Sequence, residues 1–311
     1  MHDNNSIVVV CGADNKYSMP LAVTLRSVLE NLAEDRKISF FIFDGGISQN
    51  NKIKIYKSLG KSRQFSLSWL NPVTKLLTNI HLSGHISKAS YLRLLIPDLL
   101  APQIKKAIYL DSDLLVMNDL GKLWDTEIKD YPLLACQDSG VPYISSTYGV
   151  ANYDKLGIPA NYKYFNSGVL VLNLDIWRLK KIGIQVIEYS QKNKDYMHFH
   201  DQEALNAVLA GQWKELHPKW NQTPGIYQFS SWKDSSFSEE VYQTLVSDPS
   251  IIHFASSVKP WNSTLYHPAN HIFFQYLDLT AWSGWRYTTW RRAWNKVTKK
   301  VRQVNNLYKA S

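Results

Sequence analysis

Asp111 and Asp113 interrupt an apolar run, "AIYLDSDLLVMNDL" over residues 107–120. Apolar residues lead up to Asp111 and resume at Leu114, so the pair stands where a buried strand stops. An unpaired carboxylate buried there costs several kcal/mol or takes up a proton. The pattern therefore demands a counter-charge. Two carboxylates one residue apart can hold a hard divalent cation, which in turn bridges phosphate oxygens. An Asp-rich turn that merely closes a strand has the same letters. A second stretch, "HFASSVKPWN" (253–262), places His253 after a short apolar run and Lys259 six residues on. A histidine beside carboxylates is an ordinary Mn²⁺ ligand, and a lysine suits a phosphate. A core histidine and a solvated lysine are the plainer alternatives.

These residues need a scaffold that brings strand ends together. "SIVVVCGAD" (6–14) is a continuous β-branched run, the mark of a strand buried on both faces. "MPLAVTLRSVLENL" (19–32) has helical spacing, with Leu21, Leu25, Val28, Leu29 and Leu32 on one stripe. Strands are predicted at 37–48, 64–70, 105–110, 132–138, 167–177 and 250–255, and helices at 50–60, 87–100 and 200–211. This alternation predicts α/β architecture with helices on the faces of a largely parallel sheet. Residues 139–165 lack a clear period and read as a long, functional connection or lid. Ligands of open α/β sheets bind outside the carboxyl ends of strands. The polar residues that follow the predicted strands are Asp14, Asp111, Asp113, Asp138 and His253. Neither GxxxxGK[ST] nor GxGxxG occurs, so the two commonest phosphate cradles are missing.

Composition narrows the class. The apolar share is 45% of 311 residues, enough for a sizeable core. Two cysteines, Cys11 and Cys136, lie far apart in apolar runs and read as buried reduced thiols, not a zinc site. The start, "MHDNNSIVVVCGADN", lacks the basic and long apolar regions of a signal peptide. No run reaches the ~18 apolar residues of a membrane span. A cytoplasmic protein is expected, with the Asn221-Gln222-Thr223 and Asn262-Ser263-Thr264 glycosylation patterns incidental. Of the 35 basic residues, eight fall in 279–311, which holds no acid; 27 basic and 26 acidic residues precede them. A nearly neutral body argues against nucleic-acid binding.

Five stretches occur in one order: "CGADNKYSMPLAVTLRS" (11–27), "SYLRLLIPDLL…AIYLDSDLLV" (90–116), "YFNSGVLVLNLDIWR" (164–178), "HDQEALNAVLAG" (200–211) and "HFASSVKPW" (253–261). Together they resemble glycosyltransferase family 8 over about residues 6–275, and most of all its bacterial lipopolysaccharide α-galactosyltransferase branch. The resemblance implies a GT-A fold, a Rossmann-like mixed sheet flanked by helices, as a catalytic domain over 1–278. It implies a UDP-galactose or UDP-glucose donor, Mn²⁺ (or Mg²⁺), a saccharide or glycolipid acceptor, and retention at the anomeric carbon. By motif position, Asp111, Asp113 and His253 are the implied metal ligands. Asp14 and Tyr17 would hold uracil by hydrogen bonding and stacking, with Ala13 and Ser112 in the same donor-binding set. Lys259 would bind the diphosphate, with Ser256 standing where the family often has glycine. Arg93, Asp138, Asn166, Asp201 and Gln202 would surround the sugar. Each has a structural alternative: Tyr17 a packing residue, Arg93 a surface charge, Asn166 a turn, Asp201 a helix N-cap.

Gln202 is implied nearest the face a nucleophile would attack, and an amide is a poor nucleophile. A front-face path is expected, with Asp201 as the rival nucleophile. The aspartates' counter-charge is expected to be the cation itself, so that without metal they would be partly protonated or solvated. Beyond 278, "WRRAWNKVTKKVRQV" (290–304) projects as a basic amphipathic helix with Trp290, Trp294, Val297, Val301 and Val304 on one stripe. With Trp282 and Trp285 upstream, 279–311 suits an anionic membrane surface, the inner face of the plasma membrane, through 282–304. The stripe could equally pack back on the body. A glycogenin-like self-glucosylating primer and a non-catalytic sugar- or surface-binding module are the rival functions.

Overall fold

The computed structural model describes residues 6–61, 64–71, 91–198, 200–265 and 267–290. The strands are β1 (Ile7–Ala13), β2 (Ile38–Asp44), β3 (Phe65–Leu70), β4 (Lys106–Leu110), β5 (Leu114–Val116), β6 (Leu133–Gln137), β7 (Phe165–Asn173), β8 (Lys214–Glu215) and β9 (Ile251–His253). The described helices are α1 (Ser18–Glu30), α2 (Gln49–Ser58), α3 (Ile96–Leu99), α4 (Leu120–Trp124), α5 (Leu174–Lys180), α6 (Ile182–Lys192), α7 (His200–Val208), α8 (Glu239–Ser247) and α9 (Asn270–Asp278). Seven strands form one sheet in the order β3-β2-β1-β4-β7-β6-β8. The pairs β1/β2, β2/β3, β1/β4 and β6/β8 are parallel, while β7 runs antiparallel to both β4 and β6. This is the GT-A arrangement of a mixed, mostly parallel sheet flanked by helices.

The buried β-branched runs make the sheet's centre. Residues 7–11 of β1 and all of β6 are buried, as a strand covered on both faces must be. One apolar layer packs β1, β2 and β4 against the Leu21, Leu25 and Val28 stripe of α1. The opposite layer sets Val8, Val10, Tyr109 and Leu170 against α6, α7 and the buried turn Leu92–Leu95. Residues 139–165 have a small core of their own, Val141, Ile144, Val150 and Tyr164.

Three features differ from the pattern read off the sequence. The strand expected to run to 177 ends at Asn173, whose side chain accepts the Ile176 N–H at 3.2 Å and starts α5. The expected helix 87–100 is, over its described part, a 3-10 turn followed by α3, and residues 72–90 lie outside the described set. The short run after Asp113 leaves the main sheet. It pairs as β5 with β9, antiparallel, matching Leu114 to His253. The other edge of β5 is satisfied by α1 hydroxyls. Thr24 Oγ1 donates to Leu114 O at 2.9 Å, and Ser27 Oγ accepts from Val116 N at 2.9 Å. That pairing carries His253 to the aspartates.

No helix among the described residues is long and apolar enough to cross a membrane. Thr280 is buried, Ala281 N–H donates to Ser58 Oγ at 3.0 Å, and Trp282 and Trp285 pack against the Phe273 cluster. Trp290 is 85% exposed. The remainder of the expected amphipathic helix lies outside the described residues.

Candidate active site

β4 ends at Leu110, and the Asp111 N–H still donates to Gly168 O at 2.8 Å. Because β7 is reversed, its first residues lie beside the last residues of β4 and β6. Asn166, Ser167 and Gly168 therefore join Asp111, Asp113 and Asp138 at one sheet edge. His253 arrives from β9. One oxygen each of Asp111 and Asp113 and one ring nitrogen of His253 lie within 4.8 Å of one another. His253 Nε2 is 3.7 Å from Asp111 Oδ2 and 3.4 Å from Asp113 Oδ1. Two hard carboxylates and an imidazole fit a divalent cation such as Mn²⁺.

The protein supplies counter-charge of its own. Arg93, 4% exposed, reaches Asp111 Oδ1 at 3.1 Å, and the Tyr109 hydroxyl donates to the same oxygen at 2.7 Å. Lys259, also buried, is ion-paired with Asp113 Oδ2 and donates to Phe254 O. Burial pushes the Asp113 carboxyl up, but Lys259 and then His253 outweigh it and leave it below the usual carboxylate range. Burial would lower Arg93 and Lys259, yet Asp111 and Asp201 hold the first, and Asp113 the second, above their ordinary values. The cation expected at the aspartates is thus not the sole counter-charge, because Lys259 is already paired with Asp113.

Asp138 is held on both oxygens. Oδ1 accepts from the N–H groups of Gly140 at 2.9 Å and Val141 at 3.1 Å. Oδ2 accepts from Asn166 Nδ2 at 2.9 Å and Gln202 Nε2 at 3.3 Å. Gln202 Oε1 accepts from Ser167 N–H at 2.9 Å. Asp201, in the first turn of α7, has Arg93 Nε 2.9 Å from its Oδ2 without hydrogen-bond geometry. Burial, partly offset by Arg93, pushes its carboxyl up to about 6. These groups open into a cavity of about 500 Å³ lined by Asp111, Asp113, Asp138, Asn166, Asp201, Gln202, His253, Ser256 and Lys259. Ser256 turns its hydroxyl to Val258 O at 2.7 Å within its own loop. Tyr148 brings residues 139–165 to the same cavity, as Pro224 and Gly225 do from the other side.

Five expected residues do not line the cavity. Arg93 lies behind the aspartates, Ser112 is buried between them, and Ala13 is buried at the end of β1. Asp14 Oδ1 caps a short turn, accepting the N–H groups of Lys16 at 2.8 Å and Tyr17 at 3.0 Å. Tyr17 packs edge-on against Trp261 at 6.2 Å. Burial raises its phenol, and the charges of Lys259, Asp113 and Asp111 reach it.

Gly168 was not singled out by the sequence pattern, and Asn221 stood out only as part of a glycosylation pattern. A Cβ on Gly168 would stand 2.2 Å from His253 Cε1 and 3.0 Å from Asp111 Oδ2. The imidazole lies where a side chain would be. An isolated glycine inside "FNSGVLVLN" is the signal that could have flagged this close approach.

The family model for glycosyl transferase family 8 matches residues 8–265. General stress protein A of Bacillus subtilis is 32% identical over 286 residues, which cover 91% of this chain and 97% of that protein. A putative glycosyltransferase of Haemophilus influenzae is 29% identical, covering 85% and 76% respectively. The crystal structure of the galactosyltransferase LgtC, in complex with donor and acceptor sugar analogues, superposes with a TM-score of 0.74 at 28% identity. That match covers 92% of this chain and 99% of LgtC.

Gly168→Ala should drive the His253 ring off the aspartates and weaken Mn²⁺ binding about 10–100-fold, read by calorimetry. Unchanged affinity in the folded variant would show that the ring's seat is not needed for the metal.

Proposed function

Because the chain belongs to glycosyl transferase family 8, we propose that it is a retaining hexosyltransferase. In this reading it moves galactose or glucose from a UDP-sugar to a saccharide acceptor, a lipopolysaccharide core or glycolipid, with Mn²⁺. The observation that carries the proposal is the meeting of Asp111, Asp113 and His253 within 4.8 Å in the wall of the cavity. The two aspartates and His253 would hold the cation, which supplies charge neutralisation to the diphosphate. Lys259, beside Asp113, adds a fixed positive charge for the departing phosphate, worth most where water is excluded. Asp138 and Asp201 can accept from sugar hydroxyls, and the hydrogen bonds of Asp138 to Asn166 and Gln202 and the ion pair of Asp201 with Arg93 keep them from turning away.

The same contacts support a front-face path. Gln202 spends its oxygen on Ser167 N–H and its nitrogen on Asp138, and Asp201 is tied to Arg93. Neither is a free nucleophile, so the departing phosphate takes the acceptor proton at an oxocarbenium-like transition state. Asp113→Ala should lower Mn²⁺-dependent hydrolysis and transfer of UDP-galactose or UDP-glucose by about 10²–10³-fold or more. Turnover at the wild-type rate in that variant, or none from the wild type with either donor, would overturn the proposal.

The C-terminal segment is proposed to hold the enzyme at an anionic membrane surface, on the cytoplasmic side, where a lipid-borne acceptor is presented. Arg286 is ion-paired with Asp278 at 2.6 Å, and the other seven basic residues of 279–311 follow Trp290 in the sequence. Residues 279–285 dock on the body, which fixes where to cut. Removing residues 291–311 should release the protein from phosphatidylglycerol vesicles and leave UDP binding unchanged. Retained vesicle binding would remove the membrane role.

A further inference from the structure

Asn221 closes the turn Pro218–Asn221, outside every strand, and is 4% exposed. Its Oδ1 lies 3.0 Å from His253 Nδ1. The direction of this contact follows from a backbone donor three bonds away. Gly168 N–H donates to Asn166 Oδ1 at 2.9 Å, so that atom is an acceptor. Asn166 Nδ2 then faces Asp138 Oδ2, also at 2.9 Å, as a donor to a carboxylate must. Asn221 Nδ2 donates to Asn166 Oδ1 at 2.9 Å, and this leaves the Asn221 oxygen, not its nitrogen, toward the imidazole. An oxygen there accepts, so Nδ1 carries a hydrogen.

This matters because the carboxylates pull the other way. Nε2 faces Asp113 Oδ1 at 3.4 Å and Asp111 Oδ2 at 3.7 Å, and an N–H at Nε2 would donate to them. That hydrogen would fill the lone pair a cation needs. From this geometry we infer that Asn221, oriented by Asn166, is a positioning residue that holds the His253 hydrogen on Nδ1 and keeps Nε2 as the metal-facing donor. The inference rests on the reading of Asp111, Asp113 and His253 as a divalent-cation site. A metal-bound imidazole is commonly set in this way by the partner of its second nitrogen. The glycosylation pattern at 221–223 finds its meaning here, since a buried asparagine with both amide atoms bonded is no glycan acceptor.

Two measurements on the full chain test this. The first is the ¹⁵N imidazole spectrum of metal-free protein at alkaline pH, with the His253 signals assigned by their loss in His253→Gln. The expected result is a hydrogen on Nδ1 in the wild type, moving to Nε2 in Asn221→Leu. A hydrogen on Nε2 in the wild type would overturn the inference. The second is Mn²⁺ affinity by electron paramagnetic resonance. Asn221→Leu should weaken binding about 10–100-fold in the wild-type background. In the His253→Gln background it should add no more than about twofold. Equal losses in both backgrounds, or none in the first, would reduce Asn221 to a packing role. No Mn²⁺ binding by the wild type would overturn the metal reading itself.

Discussion

Two carboxylates are fixed side by side at the end of β4, with the Asp111 and Asp113 side chains only 25% and 11% exposed. Like charges so placed raise one another's pKa unless cations stand close. Arg93 and Lys259 stand close, one on each aspartate, and both are themselves buried. Neither cation tolerates burial without its partner, because an unpaired buried charge costs several kcal/mol. The turn that carries Arg93 and the loop that carries Lys259 are thus pinned to neighbouring aspartates. Arg93 extends the network to Asp201 and, through its donation to the Ser167 hydroxyl at 3.0 Å, to the start of β7.

The direction of β7 is the topological condition for all of this. Were it parallel like β1, β2 and β4, its first residues would lie at the far edge of the sheet. Reversed, it delivers Asn166, Ser167 and Gly168 beside Asp111 and Asp138. The glycine leaves room for an imidazole, and Asn166 links Asn221, the partner of His253, to Asp138. β5 and β9 complete the condition, since their two-stranded pairing registers His253 opposite Leu114, one residue past Asp113.

Much of this was legible in the sequence, for a physical reason. Strands buried on both faces must be continuously apolar, so β1, β4 and β6 stand out, and the polar residues after them mark the sheet edge. The resemblance to glycosyltransferase family 8 supplied the remaining site residues, and the family model bears the family out. Which strand is reversed was not legible, because an apolar run reads the same either way. The boundary at Asn173 was hidden because α5 opens with Leu174, Ile176 and Trp177, which continue the apolar run. Asn221 was hidden for another reason. It sits in a short turn, and only the hydrogen bonds around it give it a role. The pairing of Lys259 with Asp113 was equally invisible, since sequence distance does not tell a phosphate ligand from a carboxylate partner. An expected cation site thereby acquired a counter-charge already in place.

If the carboxylates and His253 hold a divalent ion that carries the donor's diphosphate, nucleotide binding depends on that ion. Calorimetric titration of UDP into the full chain, with Mn²⁺ and again after exhaustive chelation, tests this directly. UDP should bind saturably with Mn²⁺ and lose that binding when the metal is stripped. Equal UDP affinity in the chelated protein would show that the ion does not carry the diphosphate.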